Sequence, residues 1–433
     1  MLGVLLVIMA FNFVDRLATG LMLQSIKLDL NLTDTQLGLL TGIAFALFYS
    51  LMGIPIARLA DRGNRVTIIS VTTALWSIAV ALCGAVTGFT QLLVVRVFVG
   101  VGEAGCIPPA HSLIADYFNR TERPKAVSIY MLGGPLSTVI GYFFGGWLNV
   151  LYGWRATFML LGVPGLVLGA LAKLTLREPR YPLVSSITHR RDVDQSDVST
   201  NEAAPSLRQV FTTLWRSLTF RHLLFSFSIL YFFGFGILQW QPAFFIRSYG
   251  LKSGEVGTWF AVIYGLGGIL GIRLGGEWAT RYAANNETLQ LKGTALAYAI
   301  VGTFSVLIYL SFNRYVAFAA MAVISIGGGA ANAPLFATIQ TLIPQRMRAV
   351  SIAAVYLCAN LVGLGLGPLA AGALSDSLRH LLGNESLRYA LLLLSPGYIW
   401  GGWHLWRASK TVLGDMQLVQ AEEDHQSPIP TLS

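Results

Sequence analysis

Residues 53–65 read Gly-Ile-Pro-Ile-Ala-Arg-Leu-Ala-Asp-Arg-Gly-Asn-Arg, and they join two apolar runs, 34–57 and 66–86. Runs of about 20 apolar residues are long enough to cross a bilayer as helices. A short basic turn between them therefore reads as a loop on one side of a membrane. The design recurs at Gly275-Gly276-Glu277-Trp278-Ala279-Thr280-Arg281. Two further echoes support a repeat. Lys125-Ala-Val-Ser-Ile129 is matched by Arg348-Ala-Val-Ser-Ile352, and Gly133-Gly-Pro135 by Gly365-Leu-Gly-Pro368.

Working outward, the rest of the chain fits the same plan. It is 54% hydrophobic and 12% charged, where a soluble protein carries about 25% charged residues. Twelve spans are predicted, at 2–28, 34–57, 66–86, 91–115, 126–150, 154–174, 222–245, 254–276, 294–312, 315–341, 349–375 and 389–407. The predicted fold is an all-α membrane protein of two pseudo-symmetric six-helix bundles, 1–176 and 221–407. A polar cytoplasmic linker, 177–220, joins them, and a disordered cytoplasmic tail, 408–433, follows. Leu207, Val210, Phe211, Leu214 and Leu218 have the spacing of a short helix lying on the membrane, although a solvated linker fits as well. Parallel six-span repeats are an architecture of secondary transporters, whose substrate site lies between the halves near mid-membrane.

The net charge of +9 raises nucleic acid as a partner, but its distribution points elsewhere. Arg58, Arg62, Arg65, Arg120, Arg123, Lys125, Arg190, Arg191, Arg346 and Arg348 all fall on one side of the predicted spans. That asymmetry places both termini in the cytoplasm. No nucleic acid is expected as a partner. Cys83, Cys106 and Cys358 lie in apolar runs and are expected as small core residues.

Four charges break the apolar pattern: Asp15 and Arg16 on the first span, Arg96 and Glu103 on the fourth. An ionised side chain at bilayer depth costs roughly 2.5–3.5 kcal/mol on insertion scales, so it faces a cavity and has a partner. Asn12, Asp15, Arg16 and Thr19 share one helical face, and so do Arg96, Gly100 and Glu103. Arg16 can pair with Glu103 or Asp15, leaving Arg96 the other acid. Burial favours the protonated form of a carboxyl group, and a nearby arginine favours the charged form. A motion that separates acid from arginine would then take up a proton, and re-pairing would release it. Asp15 and Glu103 are the expected proton-coupling sites. Arg16 and Arg96 are their charge partners, open to an anionic headgroup. A permanent salt-bridge network is the competing reading.

These motifs resemble a known family. The segment from Gly53 through Asp61, Arg62 and Arg65 resembles the signature loop of the major facilitator superfamily, and Arg96 to Glu103 resembles its fourth-span motif. The second loop departs from pattern, with Thr280 where an acid is often found. Asn12-Phe-Val-Asp15-Arg16 and Gly100-Val-Gly102-Glu103-Ala104 are similar to motifs of the spinster branch, bacterial members above all. The resemblance implies alternating-access transport of a lysophospholipid or a sphingosine-1-phosphate-like lipid, driven by protons, in a bacterial inner membrane. It also implies a gating role for Gly53, Asp61, Arg62 and Arg65.

The second half carries no counterpart to Glu103. It offers Tyr231, Gln239, Trp240, Asn332 and Asn360 as candidate cavity-lining groups beside Asn12, Thr19 and Gly100. A cavity charged on one wall and aromatic on the other suits an amphiphile. His111 is left outside the charged set, and Pro108-Pro109 predicts a kink in the fourth span. No Ser/His/Asp set, metal cluster or phosphate-cradling loop is present, so neither an enzyme nor a cofactor or metal is expected. The partners expected are an amphiphile, protons and the bilayer, with the chain a monomer. A proton-coupled porter of drugs or small organic ions is the main alternative, and a receptor built on a transporter fold a weaker one.

Overall fold

The computed structural model describes residues 1–180, 215–284, 286–342, 355 and 357–417, without side chains at 332, 333, 336, 337 and 339–342. The proposed surface helix near Leu207–Leu214, Arg346, Arg348 and most of the expected tail lie outside the described residues, as does the side chain of Asn332.

Among the described residues the fold is entirely helical. Ten stretches are long and apolar enough to cross a membrane, and two of these, Arg123–Thr175 and Leu357–Ala408, run to 53 and 52 residues. Each of the two reverses at a glycine with positive φ, Gly153 (78°) and Gly383 (54°), which only glycine adopts without strain. Each therefore holds two passes, which agrees with the twelve spans expected.

Local chemistry sets the breaks. The first span, α1 (Leu2–Leu30), stops at Asn31 in the left-handed region. Thr33 and Gln36 then form a reciprocal capping box that starts α2 (Asp34–Thr41). Gly42 bends the second span into α3 (Ile43–Arg62), and Asn64 caps α4 (Arg65–Cys83) through the Thr67 amide. The fourth span is two helices, α5 (Phe89–Glu103) and α6 (Ile107–Tyr117). Pro108 and Pro109 open α6, so the kink predicted from them falls just before them, at 104–106. That break leaves Glu103 as the last residue of α5.

The bundles meet through backbone contacts that tolerate no side chain. A Cβ on Gly38 would stand 2.4 Å from the Pro368 carbonyl oxygen, and one on Gly42 2.3 Å from that of Gly365. Gly257 abuts Tyr142 in the same way, at 2.2 Å. Hydrogen bonds between the bundles gather at this end, beside the 31–33 and 383–385 turns. At the opposite end, the ion pairs of Arg65 and Arg180 stay within residues 1–180. Cys83 and Cys106 are buried as expected, but Cys358 is exposed. The outward face of a membrane helix is itself apolar, so apolar sequence does not separate core from lipid contact.

Candidate functional site

The four intramembrane charges form two crossed pairs between the first and fourth spans. Arg16 donates through Nε to Glu103 Oε2 at 2.7 Å, and its Nη2 reaches the same oxygen. Arg96 Nη1 donates to Asp15 Oδ2 at 3.0 Å. Of the pairings the sequence left open, this is Arg16 with Glu103 and Arg96 with Asp15. Glu103 is fully buried, whereas Arg16 keeps 15% of its side chain exposed. Arg16 is thus the member that a ligand can reach.

Each acid uses only one oxygen. Glu103 Oε1, Asp15 Oδ1 and Arg96 Nε are buried with no hydrogen-bond partner. Such groups cost about 1–3 kcal/mol when left unpaired, and a site that carries three of them can take up a proton or a ligand atom. The break after Glu103 leaves its carbonyl to the Asn12 amide at 3.4 Å and the Cys106 amide at 3.3 Å. Thr19 donates to the Asp15 carbonyl at 2.6 Å. Asn12 and Thr19 therefore brace the charged set.

Three aromatic residues, none of them among the sequence-predicted site residues, complete it. The Phe45 ring centre lies 4.2 Å from the Arg16 guanidinium and 5.6 Å from that of Arg96. Tyr49 and Phe13 stand over Arg16 at 4.8 Å each. Cation–π contacts of this kind hold an arginine that loses its carboxylate. Gly100 is the reason Phe45 fits. A Cβ there would sit 2.8 Å from the Phe45 carbonyl oxygen, so Gly100 serves helix approach and not the cavity wall.

A separate cavity of about 410 Å³ is walled mainly by the C-terminal bundle and touches the first span at Leu17, the residue after Arg16. It uses α7 (Leu218–Tyr249), α8 (Ser253–Tyr282), α9 (Glu287–Leu310) and α10 (Arg314–Leu342), with Leu17, Thr138 and Tyr142 from the N-terminal bundle. Among the described residues no Asp, Glu, Lys, Arg or His lines it. Tyr231 does, as expected, and so does Gln241, whose Oε1 accepts from the Tyr264 hydroxyl at 2.5 Å. Gln239, Trp240 and Asn360 do not. Gln239 packs against Gly20, Trp240 is fully buried with its indole N–H on the Pro368 carbonyl at 2.9 Å, and Asn360 opens a wide π-type turn.

Asp34 forms the polar centre of the closed end. It accepts from Arg247 at 2.7 and 2.8 Å, from Lys27 at 2.5 Å and from Ser375 at 2.7 Å. Asp376 answers from the other bundle, accepting the Thr35 amide and hydroxyl at 2.7 Å each. None of these residues was singled out in the sequence.

At the other end the signature loop is organised by Arg65, not Asp61. Arg65 is fully buried and bonds Glu178, Asp116 and Ser112. Burial works against the Glu178 carboxylate, but the hydrogen bonds from Arg65 win and hold its pKa below the ordinary glutamate value. Asp61 and Arg62 are exposed, and the Asp61 carbonyl accepts from Arg180 at 2.8 Å. A Cβ on Gly53 would meet nothing within 4 Å.

The model of the Major Facilitator Superfamily matches residues 5–368. An MFS-type efflux pump of Mycolicibacterium smegmatis is 31% identical over 90% of this chain and 88% of its own. Protein spinster homolog 1 of Xenopus laevis is 28% identical, covering 93% and 80%. Among solved structures, a bacterial homolog of the human lysosomal transporter Spinster, inward-facing and unoccupied, superposes with a TM-score of 0.81. It is 28% identical and covers 96% of this chain and 97% of its own.

Proposed function

This chain belongs to the Major Facilitator Superfamily, and on that premise we propose that it is a proton-coupled secondary transporter of an amphiphilic, lipid-like substrate. It is a multi-pass integral membrane protein that resembles the spinster branch. The observation that carries the reading is the pair of crossed ion pairs, each acid with one bare oxygen, on a span whose Leu17 lines a cavity that carries no charge among the described residues. Protonation of Glu103 frees Arg16, which then meets an anionic headgroup, a phosphate or carboxylate. The uncharged cavity receives the apolar part. Deprotonation draws Arg16 back and expels the headgroup. Asp15 and Arg96 repeat the exchange across Phe45.

The closed end at Asp34 is assigned to the outside and the end at Arg65 to the cytoplasm, following the basic bias of the loops. The state is then inward-facing, with Arg65, Asp61 and Arg62 on the open side. Bundles at 1–176 and 221–407, a linker at 177–220, a tail at 408–433 and a bacterial inner membrane complete the assignment. A drug or small organic ion is the second substrate reading, favoured by the likeness to an efflux pump.

The test is lysophospholipid movement in liposomes holding the purified protein, with and without a pH gradient, beside Glu103→Gln. Gradient-driven movement lost in the variant supports the reading. Movement indifferent to both removes the proton mechanism, and absence of lipid movement turns the assignment to small ions.

A further inference from the structure

We propose that Gly234, Gly268 and Gly328, on three different helices of the C-terminal bundle, set the length of hydrocarbon chain that the cavity admits. The inference rests on the amphiphile reading above and adds the element that selects among amphiphiles.

The glycines lining or flanking the cavity fall into two classes. A Cβ on Gly271 would stand 2.2 Å from the Ile326 carbonyl oxygen, one on Gly275 2.1 Å from that of Ala330, and one on Gly329 2.8 Å from that of Gly268. These are needed for helix packing, as small residues are in membrane bundles. Gly268 and Gly328 are different, for a Cβ there meets nothing within 4 Å. At Gly234 the nearest atom is the Tyr398 hydroxyl at 3.9 Å. All three line the cavity. Packing does not require them to be glycine, and any side chain placed there grows into the empty space.

The chemistry of the wall says what fills that space. With no charged lining residue among those described, an ionic headgroup would be stripped of water without an opposite charge to compensate. Several of the polar groups are already paired. The Tyr264 hydroxyl is on Gln241, and the Ser305 and Ser395 hydroxyls lie 2.8 Å apart at the α9 wall. The hydroxyls of Tyr231, Tyr298 and Tyr398 are neutral, so they can hydrogen-bond an ester, a hydroxyl or a phosphate oxygen but bring no opposite charge to an ionic headgroup. A volume of about 410 Å³ falls within the roughly 300–1,000 Å³ of pockets that bury small-molecule ligands. The headgroup then stays at Arg16, and the chain runs inward past Leu17 toward the glycines.

The experiment uses the full chain in liposomes with a graded series of single-chain phosphocholine lysolipids, from short to long acyl chains. Gly268→Leu and Gly328→Leu are compared with Gly276→Leu. A Cβ at Gly276 also meets nothing within 4 Å, but that residue does not line the cavity. The expected result is loss of the longest chains by about tenfold or more, the discrimination that methylene-scale changes in a pocket give. Transport of the shortest chains stays within about twofold, and Gly276→Leu keeps the native profile. Thermal melting and monodisperse elution check that each variant is folded. A length profile unchanged in folded variants overturns the inference and leaves the amphiphile reading standing. Equal loss at every length, with Gly276→Leu intact, also overturns it. If the native protein moves no lysolipid of any length, the amphiphile reading falls and the inference with it.

Discussion

The ring of Phe45 stands against the guanidinium of Arg16, with their centres 4.2 Å apart. Arg96 approaches the same ring at 5.6 Å, so one buried aromatic side chain separates the two ion pairs. It also offers each arginine a weaker second partner when its acid is neutralised. Phe45→Leu keeps most of the volume and removes the π face. The variant is expected to fold with a loss of about 1 kcal/mol and to transport several-fold more slowly. Melting curves and initial rates in liposomes check both. An unchanged rate would show that the ring only fills space.

Arg16 and Glu103 are coupled, and the coupling has a measurable size. Removing either alone leaves a buried partner, a loss of about 3–5 kcal/mol for a fully buried pair. Here the partial exposure of Arg16 and its aromatic neighbours reduce that, to an expected 1–3 kcal/mol. The double variant Arg16→Gln/Glu103→Gln is expected to be more stable than the sum of the singles predicts. A double-mutant cycle on denaturation midpoints measures this, and strict additivity would remove the pair from the mechanism.

The closed end depends on Asp34. It is the acid that both Lys27 and Arg247 bond, so Asp34→Asn leaves two cations facing each other across the bundle interface. The expected outcome is a shift toward a state open at that end. Spin labels at Asn31 and Leu381, both exposed and on opposite bundles, should show a longer distance population. A distance distribution like that of the native protein would mean that the glycine contacts and the remaining hydrogen bonds, such as those of Thr35 to Asp376, hold the seal without Asp34.

Glu178 gives a pH dependence outside the membrane. Its pKa is held down in the folded protein. Its contribution to stability is therefore fully present above the ordinary glutamate range, and it fades as pH falls through the lowered folded value. Glu178→Gln is expected to cost about 1–3 kcal/mol near neutral pH, with the difference from the native protein shrinking in acid. Melting temperatures of both proteins across that range decide it. A constant difference would assign the loss to packing.

The spans were legible because a bilayer admits few patterns, and the four charges because their cost there makes them conspicuous. The turn at 31–33 falls in the gap expected between the first two spans, and the break ahead of Pro108 follows from the two prolines. The actual pairing needed three dimensions, since helical spacing allows Arg16 either acid. Phe45 and Tyr49 were hidden because an aromatic residue on a span reads as packing. Asp34 and Arg247 were hidden because charges at span ends are ordinary. Glu178 fell in a stretch that reads as solvated linker, and only the fold returns it to Arg65. Trp240 was misplaced toward the cavity for a related reason, since spacing gives a helical face but not which neighbour covers it.

The crossed pairs also have an electrical meaning. Two carboxylates against two guanidiniums sum to zero, so in the proposed cycle an empty carrier would switch access without moving net charge through the membrane field. One proton on Glu103 makes the same core a monovalent cation. Each elementary charge carried across the full field is worth about 2.3 kcal/mol per 100 mV. The membrane voltage would then drive the proton-loaded passage, leave the unloaded one alone, and favour the direction that brings the proton inward. In the proposed cycle an anionic substrate on Arg16 would restore neutrality, so the cargo itself would decide whether the loaded carrier feels the voltage.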